Sequence, residues 1–322
     1  MRAGGRPAAL HGYAWPMSPH ADGAVSIVGH QLERGPEALG ELRRTEEGVD
    51  SAALRDRLAE DGYLYLPGFF ERESVLAVRR ELVGRLAAAG VLEPGAPVMD
   101  AVVRPGAALE FGRDGADLVA ANEPLHELLY GGRMLGFYES LLGGPVRHLD
   151  FTWLRIIAPG GGTWVHTDIV FMGRGTPNLF TSWVPYGDIP PQMGGLAILE
   201  RSHTHELIRD VYGRQDVDSY CENLGQEPPD DYEWPNASPI LDEDAAALRR
   251  RLGGRWLTAD YSAGDLLVFG MFTAHGALDN RTDRIRLSSD SRYQLAADPV
   301  DERWVGPHPA GHTKAGKRGV VC

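Results

Sequence analysis

His166 lies in the run Thr163-Trp164-Val165-His166-Thr167-Asp168-Ile169-Val170-Phe171, a β-rich stretch of a chain that carries eleven histidines. Residues i and i+2 of a strand project to one face, so this run predicts an imidazole and a carboxylate side by side at His166 and Asp168. Alone, such a pair is as consistent with a hydrogen-bonded couple as with a metal site. His275 supplies a third group, just beyond the apolar run Gly264-Asp265-Leu266-Leu267-Val268-Phe269-Gly270, which reads as a buried strand. That placement suits a site assembled between facing sheets. Two imidazoles and one carboxylate on one face of a ferrous ion leave three coordination positions open to other molecules. The same donors also suit zinc.

The remaining histidines have plainer explanations. His11, His20 and His30 lie in an N-terminal stretch without periodicity, and His308 and His312 in a Gly/Pro-rich tail, so all five are expected in solvent. His126 falls inside a predicted helix and reads as packed. His203 and His205 sit at a helix start, where positions i and i+2 point apart and do not share a metal. A second polar feature is Arg286-Leu287-Ser288-Ser289-Asp290-Ser291-Arg292-Tyr293. By alternation Arg286, Ser288, Asp290 and Arg292 share one face of a strand. That face either lines a hydrophilic cavity or looks into water.

The elements that must position these residues follow from composition and pattern. The chain has 322 residues, a formal charge of −13, 40 Gly, 22 Pro and two Cys. Its length suits one large domain. The acidic balance argues against nucleic-acid or anionic-membrane partners, since phosphates are repelled. No apolar run reaches signal-peptide or membrane-spanning length, and the two cysteines are too few and too far apart in sequence for a disulfide framework, so a reduced, cytoplasmic protein is expected. Residues 1–48 read as a flexible arm. Residues 49–322 read as a single domain. Helices are predicted at 51–58, 74–90, 118–129 and 134–142. Strands are predicted at 147–157, 163–171, 179–186, 196–200, 256–261, 265–270 and 284–294, which suggests a sandwich or barrel. A polar insertion at about 204–252 interrupts them and reads as a lid or substrate loop.

Several of these motifs, taken in order, resemble the phytanoyl-CoA dioxygenase family of iron(II)/2-oxoglutarate oxygenases. They are Asp61-Gly62-Tyr63-Leu64-Tyr65-Leu66-Pro67-Gly68-Phe69, then His166-Thr167-Asp168, then the stretch from Gly187-Asp188-Ile189-Pro190 to Arg201-Ser202-His203, then His275 followed by Arg286. The resemblance covers residues 52 to 305. It implies a mainly β fold with flanking helices around a double-stranded β-helix, the cupin-like jelly roll. It further implies that His166, Asp168 and His275 ligate Fe(II) and are catalytic, and that Arg286 pairs with the distal carboxylate of the cosubstrate 2-oxoglutarate. Trp183 and Trp153 match cosubstrate-pocket positions. Arg155 shares a face with Trp153 and is a second anion contact if it points inward. Ala277 stands where some members carry a serine that helps hold 2-oxoglutarate. The namesake thioester substrate does not fit an acidic insertion.

The implied reaction consumes 2-oxoglutarate and O2, releases succinate and CO2, and hydroxylates an unactivated C–H of a small polar metabolite. Desaturation, epimerisation or ring formation by the same oxidising chemistry stay open. A carboxylate at Asp168 fills the place that halogenating relatives leave for halide. Rival classes are a metal-free jelly-roll ligand-binding protein and a zinc hydrolase, and a spaced arginine for a dicarboxylate favours the oxygenase over both. The expected partner is a small-molecule substrate, with the protein a monomer or homodimer.

Overall fold

The computed structural model describes residues 25–107, 115–226 and 240–322. A short hairpin of β1 (Ser26–Ile27) and β2 (His30–Gln31) and the edge strand β3 (Leu39–Glu41) precede helix α1 (Ser51–Asp61) and β4 (Tyr63–Leu66). Helices α2 (Arg72–Ala88), α3 (Ala116–Val119), α4 (Glu123–Tyr130) and α5 (Gly132–Leu142) come next. They are followed by β5 (Val146–His148), β6 (Trp153–Ile157), β7 (Thr163–His166), the single turn α6 (Ile169–Met172), β8 (Phe180–Pro185) and β9 (Leu196–Leu199). The insertion contributes β10 (Ser219–Cys221) and α7 (Ala245–Leu252). The last strands are β11 (Trp256–Thr258), β12 (Leu266–Gly270), β13 (His275–Ala277), β14 (Arg286–Leu295) and β15 (Arg318–Val320).

Two sheets form the core. One has the order β3-β11-β9-β13-β7, the other β4-β12-β8-β14-β5, with β6 also paired to β14. Period-two alternation sorts their side chains. Leu267 and Phe269 of β12, Trp183 of β8 and Leu196 and Ile198 of β9 meet in one apolar cluster, which joins the two sheets. Their neighbours Leu266, Val268 and Val184 point the other way and pack beneath α2, α4 and α5 through Val78, Leu82, Leu125 and Tyr138. Ala197 and Leu199 face outward under α7 and β1. This is a jelly roll with one sheet covered by helices. Among the described residues no helix is long and apolar enough to cross a membrane.

Local chemistry fixes the entry to the first core strand. Asp50 caps α1 by accepting the Ala53 N–H at 2.9 Å. Gly62 ends the helix at φ +80°, its N–H returning to the Leu58 carbonyl. A Cβ there would meet the His203 ring, so the position has neither the conformation nor the space for a side chain.

Three expectations are corrected. The stretch read as a flexible arm is part of the fold over residues 25–48: β3 extends the five-stranded sheet beside β11. The Asp279 carboxylate accepts hydrogen bonds from Ser26 Oγ at 2.6 Å and the Val28 N–H at 2.7 Å. Strands of two and three residues are too short to leave a period in the sequence. Residues 1–24 lie outside the described residues. Second, Cys221 and Cys322 are joined by a disulfide, Cα atoms 5.5 Å apart, because β15 runs parallel to β10 and brings the last residue to it. Sequence separation says nothing about such a meeting. Third, much of the insertion is core rather than polar loop, since Ile208, Val217, Ala245 and Leu248 are buried.

Candidate active site

The strand predicted to carry both His166 and Asp168 stops at His166, and Asp168 takes a helical conformation (φ −69°, ψ −22°) at the start of α6. The pair meets through this turn and not through the pleat. His275 opens β13, directly opposite His166 in the antiparallel ladder. Asp168 Oδ1 lies 3.9 Å from Nε2 of each histidine, and donor atoms of the three residues fall within 4.8 Å of one another.

Both rings are aimed by the same device. His166 Nδ1 lies 2.8 Å from the Trp164 carbonyl, and His275 Nδ1 lies 2.9 Å from the Thr273 carbonyl. A carbonyl only accepts, so each Nδ1 carries a proton, and each ring turns its Nε2 toward Asp168. Burial, reinforced by His275 and opposed by Asp168, pulls His166 down to about 3 and keeps it neutral near pH 7. Burial alone would raise the Asp168 carboxyl. Arg292, then His275, His166 and Thr181, outweigh it and hold the group well below the usual carboxylate range. Thr181 Oγ1 and Arg292 Nη2, the latter at 3.2 Å, both donate to Oδ2 and leave Oδ1 facing the imidazoles.

These residues line a cavity of ≈420 Å³ together with Trp153, Arg155, Trp183, Arg286, Asp290 and Arg292. The polar face of β14 therefore looks inward. Arg286 is 1% exposed, and burial lowers its guanidinium to about 10, still a cation at neutral pH. It donates to Ser288 Oγ at 2.5 Å and lies 5.9 Å from the Trp183 ring centre, yet no carboxylate pairs with it among the described residues. Arg155 lines the cavity, with its charge taken up by Asp290 at 2.8 Å. Trp153 lies under Arg292, 3.8 Å from ring centre to guanidinium carbon. Where Ala277 replaces a hydroxyl, the cavity wall offers Thr163, which accepts the Ala277 N–H at 2.6 Å.

One cavity residue escaped the sequence. His312, expected in solvent, is buried against the cavity, its Nδ1 2.8 Å from Asp218 Oδ2. Asp218 is fully buried and also pairs with Arg303 at 2.5 Å and Lys317 at 2.8 Å. Its carboxyl is held low: burial opposes ionisation, but His312, Lys317 and Arg303 outweigh it. No local pattern links a tail histidine to an aspartate of the insertion. Ile240, also from the insertion, completes this wall. His203 and His205 serve backbone contacts with Ala59 and Leu207, while His126 is exposed on α4 rather than packed.

A jelly roll that gathers two histidines, an aspartate and a buried arginine with no carboxylate partner among the described residues around one cavity defines the class of non-haem metal oxygenases. The sequence profile of phytanoyl-CoA dioxygenase matches residues 58–288, and the chain belongs to that family. It is 24% identical over 280 residues to the 1-deoxypentalenic acid 11-beta-hydroxylase of Streptomyces exfoliatus, covering 83% of this chain and 89% of that protein. The enzyme of the same name from Streptomyces arenae is 25% identical over the same shares. Among solved structures, EctD from S. alaskensis with 2-oxoglutarate and 5-hydroxyectoine superposes with a TM-score of 0.53 at 17% identity, over 91% of this chain and 98% of that one. The α-ketoglutarate-dependent carbocyclase SnoK of nogalamycin biosynthesis gives 0.52 at 18% identity, over 80% and 89%. Both share the fold.

Proposed function

We propose that the protein is an iron(II)/2-oxoglutarate-dependent hydroxylase of a small polar metabolite. His166, Asp168 and His275 hold Fe(II): two neutral imidazoles present Nε2, and Asp168 presents one oxygen while its other is already engaged. Bound there, iron supplies the oxidising power that couples decarboxylation of 2-oxoglutarate, to succinate and CO2, with insertion of an oxygen atom from O2 into a C–H bond. The observation that carries the reading is Arg286, a buried guanidinium without a carboxylate partner among the described residues, in the same cavity as the triad. A planar fork of this kind matches the distal carboxylate of 2-oxoglutarate. Trp183 forms the wall beside it. Trp153, Arg155 and His312 orient the substrate, and its polarity follows from the Arg155–Asp290 pair that faces it. The hydroxylase relatives act on an acid, which agrees with a cavity rich in arginine.

The test is succinate release from 2-oxoglutarate with iron and ascorbate, screened over a metabolite panel that includes carboxylic acids. Stimulation above the uncoupled background is expected for at least one compound. Succinate release that needs no iron, or that survives in His275→Ala, would overturn the assignment.

A further inference from the structure

Arg286 and Arg292 project from the same face of β14 and differ in what they hold. Arg292 is 1% exposed, and its Nη2 donates to Asp168 Oδ2 at 3.2 Å. Its Nε and Nη1, though buried, meet no hydrogen-bond partner among the described residues, and the side chain lines the cavity. Buried donors are nearly always paired, so two idle donor groups on one guanidinium point to an acceptor that arrives with a ligand. Trp153, stacked at 3.8 Å, fixes the plane of the fork. Charge agrees with this. Among the described residues, three guanidiniums of the lining stand with two carboxylates, Asp168 and Asp290. A divalent metal adds two more positive charges, and a dianionic cosubstrate leaves the cavity still short of negative charge.

We infer that Arg292 is a two-sided carboxylate clamp, one edge holding Asp168 and the other receiving a carboxylate from a small molecule bound beside the metal position. This rests on the reading of His166, Asp168 and His275 as a metal site. The carboxylate comes either from the oxo-acid end of the cosubstrate or from an acidic substrate. A lysine cannot replace such a residue, because a point charge lacks the second edge.

Calorimetry on protein loaded with redox-inert Mn(II) tests the clamp, with oxalate as the probe for the oxo-acid end. Cyclopentanecarboxylate, added to protein already holding Mn(II) and 2-oxoglutarate, is the probe for a substrate acid. Arg292→Met should weaken at least one probe by about tenfold or more, in line with the cost of losing one partner of a buried charged pair, and Arg292→Lys should restore it only in part. Arg286→Met should leave oxalate within about twofold, since oxalate has no distal carboxylate. Loss confined to oxalate assigns the clamp to the cosubstrate, and loss confined to cyclopentanecarboxylate assigns it to the substrate. The clamp is overturned if neither probe loses affinity in Arg292→Met or Arg292→Lys. It is equally overturned if Thr181→Val, which removes only the other donor to Asp168, causes the same loss. Wild-type protein that takes up no Mn(II) would bring down the metal reading and the clamp together, whereas Mn(II) uptake with unaltered probes defeats the clamp alone.

Discussion

The cavity has two kinds of wall. Arg286, Arg292, Trp183 and the two histidines of the triad sit on ladder-paired strands, β14, β8 and β13 within their sheets and β7 at an edge, while His312 and Ile240 come from the C-terminal tail and the insertion. The strand wall is positioned by backbone hydrogen bonds and the alternation of the pleat. Charge and a covalent bond position the other wall: Asp218 buried among Arg303, His312 and Lys317, with Cys221 tied to Cys322. A ladder holds geometry almost regardless of which side chains it carries. A buried ion cluster holds it only while every member is present.

Removing one residue from each wall separates these two kinds of support. Asp168→Ala takes the acceptor from between the imidazoles and strands the Arg292 charge. Its effect on iron-dependent succinate release should exceed the roughly hundredfold loss typical of outer-shell changes, and Mn(II) titration should show the same loss. On the other wall, Asp218→Ala leaves Arg303, Lys317 and His312 without their shared acceptor and should cost about 3–5 kcal/mol in urea unfolding. The folded fraction should still bind Mn(II) normally. Metal affinity that falls in step with stability would show the two walls to be one cooperative unit. Arg286→Ala should raise the 2-oxoglutarate requirement by at least about tenfold without touching Mn(II) affinity.

A milder probe is pH. His166 is held at about 3 in the fold against an ordinary 6.5, so between those values the unfolded chain binds the extra proton. Stability should therefore be full above about pH 6.5 and decline as pH falls toward about 3. The depressed Asp168 carboxyl adds a loss of the same sign below its ordinary range. The Tm of the metal-free protein, followed from pH 8 to 4, should show this decline. A flat profile in wild type, or an undiminished decline in His166→Phe, would remove His166 as its cause.

The strand wall was far more legible in the sequence than the loop wall. Alternation in residues 286–293 separates Arg286 and Arg292 from Leu287 and Tyr293 without any knowledge of partners, and the structure keeps that sorting. The meeting of His166 with Asp168 was right in outcome and wrong in cause, because a turn into α6 replaces the continued strand. What stayed hidden depends on contacts distant in sequence. β3 has no period of its own and needs β11 to be a strand. His312 looks like any tail histidine until Asp218 is placed beside it. The pairing of the two cysteines likewise needs β10 and β15 to run side by side.

That pairing reaches into practice. Thiol reductants used to keep iron ferrous also exchange with disulfides, so in this protein they act on two targets at once. Opening Cys221–Cys322 removes the covalent tie on β15, the strand that follows His312, which then rests on its ladder with β10 and on hydrogen bonds to Asn223. Loss of turnover in dithiothreitol that Cys221→Ser reproduces in ascorbate would then report the tail letting go. Ascorbate spares the bond, so wild type and Cys221→Ser compared in ascorbate alone read how much the tail contributes to catalysis.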